Sequence, residues 1–379
     1  MKSVSITEAV KINNQHVKPF DGEKDYMATG GLIGTEINTE KVTYKTKPSR
    51  ADLLVCKNQL IVARMKGTVK VLLIDESNCN LIVSTGFLVL DVQDGWHPGF
   101  LYHFFVSKYF QDQKDKLSIG ATQKAINNEK FKEILIPELS YEEQKRIVSI
   151  LDKANKLIEK RKEAIELLDE YLKSVFLDMF GDPVTNPRKF KIEKLENMIN
   201  FMTSGSRGWA KYYSEKGDIF LRIQNVGKNL LISSELNYVN PPENSESKRT
   251  RVMKGDVLIS ITADLGRTAV INDKFVGSFI SQHLALLRLK KDYLPEYVSE
   301  FLASTGGKKQ IEKLNKGGTK AGLNFNDIRS LQVPVPPIEY QNKYLHLREK
   351  VMLLKDSMYA QERKLELQYF SIMNKEFNR

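Results

Sequence analysis

Apolar side chains recur at alternating steps of four and three along Ile147, Leu151, Ala154, Ile158, Arg161, Ile165, Leu168, Leu172, Val175 and Met179. Such spacing is a heptad seam and predicts a long helix. Its polar member, Arg161, is of the kind that fixes register. Asp182-Pro183 and Asn186-Pro187 end the helix. A second seam runs through Leu347, Val351, Leu354, Met358, Gln361, Leu365, Gln368 and Ile372. Each helix should be about 50 Å long at 1.5 Å per residue. Neither buries a full seam alone, so the simplest solution packs one on the other. A two-fold relation would make them antiparallel; a coiled coil with another protein is the alternative. Shorter apolar runs predict strands at Asp52–Val55, Val69–Ile74, Phe87–Asp91, Ile219–Ile223, Asp256–Ile261, Ala269–Ile271 and Leu284–Leu289. Helical stretches, Gly99–Tyr109 and Pro295–Thr305, follow the last strand of each set. The fold class is therefore α+β (mixed α/β).

The pattern occurs twice. Gly120-Ala121-Thr122-Gln123-Lys124-Ala125-Ile126-Asn127 matches Gly317-Gly318-Thr319-Lys320-Ala321-Gly322-Leu323-Asn324 at an offset of 197 residues. The same offset aligns Phe131–Pro137 with Ile328–Pro334 and Glu143-Gln144 with Tyr340-Gln341. Upstream, Ala51–Val55 resembles Gly255–Ile259 at 204, and Gly67–Leu72 resembles Gly266–Ile271 at 199. Collinear landmarks of this kind indicate an internal repeat, a globular part followed by a long helix.

Composition narrows the class. A chain of 379 residues suffices for two domains. Apolar runs such as Val71–Ile74 and Gly86–Leu90 are far short of the ~20 residues of a membrane span, and Met1-Lys2-Ser3-Val4-Ser5 has no signal-peptide character. Cys56 and Cys79 stand alone, which fits a reducing cytoplasm and no zinc or disulfide framework. The net charge of +11 suits a polyanion partner, since Lys and Arg neutralise phosphates and release counterions.

Ile136-Pro137 through Glu143-Gln144-Lys145-Arg146-Ile147-Val148, the helix running into Phe180-Gly181-Asp182-Pro183, and Val333-Pro334-Val335-Pro336-Pro337-Ile338-Glu339-Tyr340-Gln341 form a duplicated signature. It resembles the specificity subunit of type I restriction–modification systems over nearly the whole chain. Tyr340-Gln341 departs from the usual Glu-Gln pair. The resemblance implies a first target recognition domain at 1–140, a spacer helix at 141–181, a second recognition domain at 182–336 and a C-terminal spacer helix at 337–379. It implies recognition domains held at opposite ends of an antiparallel helical pair. The subunit would be non-catalytic, would act in a prokaryotic cytoplasm, and would read a bipartite, asymmetric DNA site. Its helices would dock two methyltransferase subunits, which use S-adenosylmethionine. Nuclease–translocase subunits, which use ATP and magnesium, would join them. A helical scaffold that does not read DNA is the alternative.

Phosphate contacts come from Lys and Arg, and base readout from Arg, Lys, Asn, Gln, Ser and Thr. The richest candidate loop is Thr203–Tyr213, with Ser204, Ser206, Arg207, Trp209, Lys211 and Tyr212. Arg222, Gln224 and Asn225 follow a strand. Lys248, Arg249 and Arg251 form a basic cluster, while Arg267 belongs to a turn in which Asp264 could pair with it. In the first half the candidates are Tyr44, Lys45, Lys47 and Arg50, the basic turn with Arg64, Lys66 and Lys70, and the loop Thr29-Gly30-Gly31. Gln123, Lys124 and Lys320 lie in the repeated segment, where a structural or phosphate role fits better than base discrimination.

Enzyme chemistry finds little support. Asn240-Pro241-Pro242 is followed by Glu243, where an adenine methyltransferase needs an aromatic to stack on the flipped base. The five histidines lack metal-binding spacing, and there is no phosphate-binding G-x-x-x-x-G-K-[ST] loop.

Overall fold

A computed structural model describes residues 2–315 and 322–378. The chain divides into a first unit, Met1–Ile165 with Ser357–Arg379, and a second unit, Glu166–Asp356. Each unit contains two four-stranded sheets, a terminal strand pair, short helices and part of each long helix.

In the first unit, Val10–Asn13, Phe87–Val92, Leu60–Ala63 and Val71–Leu73 lie side by side in that order, all antiparallel. Leu60, Val62, Leu88 and Leu90 face a cluster with Phe100, Phe104, Phe105 and Phe110. The alternate residues Ile61, Ala63, Phe87 and Val89 face the other sheet. Burial on both faces explains why these strands are apolar without alternation. Truncating a ring such as Phe104 would cost about 3–5 kcal/mol. The second sheet orders Glu40–Val42, Lys24–Met27, Ile82–Ser84 and Ala51–Leu54, with a parallel pair at its centre.

The second unit repeats this plan. Ile199–Ser204, Leu284–Leu289, Val257–Ser260 and Thr268–Val270 form the first sheet. Val257 and Ile259 face the helices, while Leu258 faces the other sheet. The second sheet orders Tyr213–Ser214, Asn237–Val239, Asp218–Leu221 and Phe279–Ile280, again with one parallel pair.

Strand register corrects part of the proposed repeat. Phe87 opposes Ala63 in the first unit, and Leu284 opposes Ser260 in the second. Leu73 opposes Leu60, and Val270 opposes Val257. The offset is therefore already 197 at Leu60 and Val257. Ala51–Val55 does not correspond to Gly255–Ile259: Ala51–Leu54 pairs with Ile82–Ser84 in the other sheet. A shared Asp-aliphatic pattern misled the alignment. Gly67 and Gly266 both have positive φ, but at different positions of their turns.

Pro98–Val106 and Lys108–Leu117 correspond to Pro295–Ala303 and Thr305–Leu314. The second helix of each pair extends beyond the expected helical stretch. Ser107 caps its helix by accepting the Phe110 N–H at 3.2 Å.

The long helices are Tyr141–Phe180 and Ile338–Phe377, 40 residues each, or about 60 Å rather than 50 Å. Within the first unit, Arg146 pairs with Glu376, and Lys162 with Glu366, an antiparallel arrangement. Within the second unit Asp169 pairs with Lys355, and Phe176 and Phe180 pack on Tyr344, in the same sense. The seam expected on the first helix holds at Ile147, Leu151, Ile158, Ile165 and Leu172, all buried. On the second, Leu354, Gln361 and Gln368 are exposed, while Lys355 and Tyr369 are buried beside them. The true seam takes in charged members whose partners lie opposite, so polarity hid it.

The glutamine shared by both signatures has a structural task. Gln144 accepts from the His97 N–H at 2.8 Å and donates to the Leu139 and Gly95 carbonyls. Gln341 donates to the Pro336 carbonyl at 2.7 Å. Both are buried, and both tie the start of a long helix to the segment before it.

Candidate nucleic-acid interface

In the second unit the strand ending at Ser204 runs into Gly205. A Cβ there would lie 2.2 Å from the carbonyl oxygens of Ile280 and Ser281, so only glycine permits the approach. The Ser206 N–H donates to the Ile280 carbonyl at 2.9 Å, and the Gln282 N–H donates to the Ser206 carbonyl at 3.1 Å. Gly208, at φ 70°, turns the chain into the short helix Trp209–Tyr212. The loop is thus held against the segment between strands Phe279–Ile280 and Leu284–Leu289.

This anchoring sorts the candidates. Arg207, Lys211 and Gln224 are exposed and Ser204 is half-buried. The Arg207 Nε–H donates to Gln282 Oε1 at 2.9 Å. Lys211 lies 5.0 Å from the centre of the half-buried Tyr212 ring. Gln224, with its oxygen turned toward Arg222, accepts from both terminal guanidinium nitrogens at 3.1 Å.

Several candidates are engaged within the unit, and the buried ones, Trp209, Asn225 and Ser206, are corrected to structural roles. Trp209 is buried against Phe220 and Phe279, and its Nε1–H donates to Glu246 at 3.1 Å; it pins the loop from beneath. Asn225 is fully buried, accepting from the Arg222 N–H and donating to the Ser234 and Ile232 carbonyls. Ser206 is buried with its hydroxyl 3.3 Å from that of Thr250. Arg249 donates to Thr203 and to the Ser204 carbonyl, tying down the strand end. Arg251 donates to the Gly277 carbonyl and lies over Phe279. Arg267 forms the ion pair with Asp264 at 2.5 Å and reaches the Val226 carbonyl.

In the first unit, the Lys66 N–H donates to the Lys124 carbonyl at 2.9 Å, and Met65 bridges Ala125. Exposed Lys66, Gln123 and Lys124 therefore share one tip. Gly120, at φ 136°, permits this closure: a Cβ there would meet the Gln123 carbonyl at 2.5 Å. Thr262 and Gly322 make the corresponding bridge in the second unit; Lys320 lies outside the described residues. Tyr44, Lys45 and Arg50 are exposed. Arg64 is a correction: it donates to the Phe87 and Ile126 carbonyls, and burial lowers its pKa. Lys70 donates to the Thr29 and Gly30 carbonyls, and Lys47 to the Ala51 carbonyl. These ammonium groups brace loops.

Gln282 and His283 were not anticipated. The signal was the polar interruption between the apolar runs Phe279-Ile280 and Leu284–Leu289. Both residues are exposed or partly exposed in the lining of a cleft of about 290 Å³ that Gln224 and Tyr213 also line, and Arg207 donates to Gln282 beside it. Among the described residues, no group of His, Cys, Asp and Glu could hold a metal ion, and no helix is long and apolar enough to cross a membrane.

Comparison with known proteins places this architecture. The chain is 23% identical over 284 residues to the MjaIX specificity subunit of Methanocaldococcus jannaschii, covering 70% of this chain and 64% of that protein. It is 25% identical over 282 residues to the EcoKI specificity subunit of Escherichia coli K12, covering 69% and 60%. The chain thus spans less than two thirds of the length of these relatives. Among solved structures it superposes on a chain of a type I R-M system (TM-score 0.66, 19% identity, 99% of this chain and 96% of the other). It also superposes on the type I S subunit of M. genitalium (TM-score 0.54, 16% identity, 99% and 96%). These two likenesses concern the fold. The model of the type I restriction modification DNA specificity domain matches residues 1–167 and again 189–355, one match to each copy of the repeat, and the chain belongs to that family.

Proposed function

We propose that the chain is the DNA-sequence specificity subunit of a type I restriction–modification complex and carries no catalysis of its own. The observation that carries this reading is a repeat in one strand register whose two copies present different side chains at the same tip. Exposed Lys66 stands where the second copy has Ala263, and Thr85-Gly86 stand where it has Gln282-His283. A shared scaffold with unlike tips suits two unlike half-sites, one per recognition domain, with phosphate contacts setting orientation. The net charge of +11 supports a polyanion partner.

The long helices serve as spacer and docking surface in this proposal. Leu367 and Phe370, three residues apart on the second helix, are half or more exposed, and neighbouring exposed apolar side chains suit an interaction surface. Methyltransferase subunits would dock there and bring S-adenosylmethionine. Nuclease subunits would bring ATP and magnesium. This chain's part, in a prokaryotic cytoplasm, is recognition and presentation.

The test is methylation sequencing of host DNA with and without the chain, its methyltransferase partner supplied. N6-methyladenine that depends on the chain at one split, asymmetric motif is expected. No chain-dependent motif, with the partner verified as expressed, would favour the scaffold reading.

A further inference from the structure

We infer that Arg207 reads a guanine in the half-site bound by the second unit, and that Gln282, His283 and Thr262 are positioning residues that aim it. The inference rests on the proposed function and adds a base and a mechanism.

The argument starts from the backbone. Gly205 and the two hydrogen bonds of Ser206 fix the root of Arg207 on the end of strand Phe279–Ile280. The side chain is then held at one edge only. Its Nε–H is committed to Gln282 Oε1, which sets the guanidinium plane and leaves the terminal nitrogens available. A planar fork presenting two donors matches the O6 and N7 acceptors of guanine in the major groove.

Gln282 is itself oriented. With its oxygen toward Arg207, its amide nitrogen lies 3.3 Å from His283 Nε2. Donation to that nitrogen makes it an acceptor and places the ring proton on Nδ1. From there it is donated to Thr262 Oγ1 at 2.7 Å. The His283 carbonyl accepts from the Ile261 N–H at 3.0 Å, so backbone and side chain of His283 are both tied to the strand leading into the turn. The chain Thr262–His283–Gln282–Arg207 gives the guanidinium a defined direction that a free surface arginine lacks.

The adjacent cleft retains unmet polar groups. Ser281 Oγ and Arg222 Nε belong to its lining residues and are buried without a hydrogen-bond partner. The first unit lacks the device. The register positions of Thr262, Gln282 and His283 are there Met65, Thr85 and Gly86, and a Cβ on Gly86 would meet Thr29 Oγ1 at 2.4 Å. A buttressed arginine is therefore specific to one half-site.

The experiment uses the complex with its methyltransferase partner and a duplex library randomised at each position of the wild-type motif, with methylation read by sequencing. One position of one half-site is expected to prefer guanine on the order of 10- to 100-fold. Arg207→Ala should abolish that preference, and Arg207→Lys, which keeps the charge but not the planar fork, should weaken it. Gln282→Ala should weaken it severalfold at the same position. Unchanged preference at the other half-site shows in the same data that each variant is folded. Guanine preference retained in Arg207→Ala would place the base contact elsewhere and overturn the inference. So would loss spread over both half-sites, or an unaffected Gln282→Ala. A wild-type complex with no motif dependent on the chain would instead overturn the functional reading beneath it.

Discussion

In the first unit the Gln59 side chain donates to Asp91 at 2.6 Å; at the same two register positions of the second unit, Asp256 pairs with Arg288 through two contacts of 2.8 Å. In the first unit Lys114 lies over the turn and donates to the Thr68 carbonyl at 2.6 Å; in the second, Ile311 packs on Gly266 instead. His103 of the first unit sits between Asp152 (2.7 Å) and Tyr369 (3.0 Å), one on each long helix. Glu300, its counterpart, accepts from Arg348 at 3.0 Å and from Asn229. Backbone register and the apolar positions of the strands are preserved while the polar pairs have been rewritten. A buried polar group only has to be satisfied; which partner satisfies it is free to drift. The same freedom, at the exposed tips, is what two different half-sites would require.

The largest expected effect comes from the rewritten carboxylate. Asp256 is 1% exposed and holds both Arg288 and the Met253 N–H, so Asp256→Ala should cost about 3–5 kcal/mol. Gln59→Ala in the first unit should cost about 1–3 kcal/mol. Hydrogen exchange under denaturant, which reports each unit separately, checks both; equal losses would break the comparison.

Lys114 gives a pH signature. Burial lowers its pKa from 10.5 to about 8. Between those values the unfolded chain binds more protons than the folded one, so raising the pH through this window should stabilise the first unit. The gain is at most about 3 kcal/mol, since each tenfold change in proton affinity is worth roughly 1.4 kcal/mol. Lys114→Met should remove this rise, as measured by unfolding at pH 7.5 and pH 10. An identical rise in the variant would assign it to other groups.

His103→Leu should destabilise the first unit by about 1–3 kcal/mol, because it leaves the buried Tyr369 hydroxyl without its partner. Amide protection in Pro98–Val106 should fall, while the second unit stays unchanged. Protection unaffected in that helix would show that the histidine contributes nothing to joining it to the long helices.

Much of this organisation was legible because it rests on periodicity. The two long helices and the strand at Leu284–Leu289 follow from apolar spacing, and the offset of 197 from repeated short motifs. The second seam was misread because Arg348, Lys355 and Glu362 occupy seam positions, and each is satisfied by a partner no local pattern reveals. The site was less legible for a related reason. Trp209, Asn225 and Arg64 have the composition of a DNA contact, yet tertiary packing turns them inward. Gln282 and His283 acquire their places only when the loop at Gly205 folds back on them. Residue type announces what a side chain is able to bind; burial decides whether it faces DNA.

The most direct test of the modular account replaces residues 1–140 with the corresponding domain of another family member and sequences the methylated adenines made by the complex. One half of the split motif should change, while the other half keeps its bases, including the guanine assigned to Arg207. A change in both halves, or in neither, would contradict the claim that each copy of the repeat reads its own half-site.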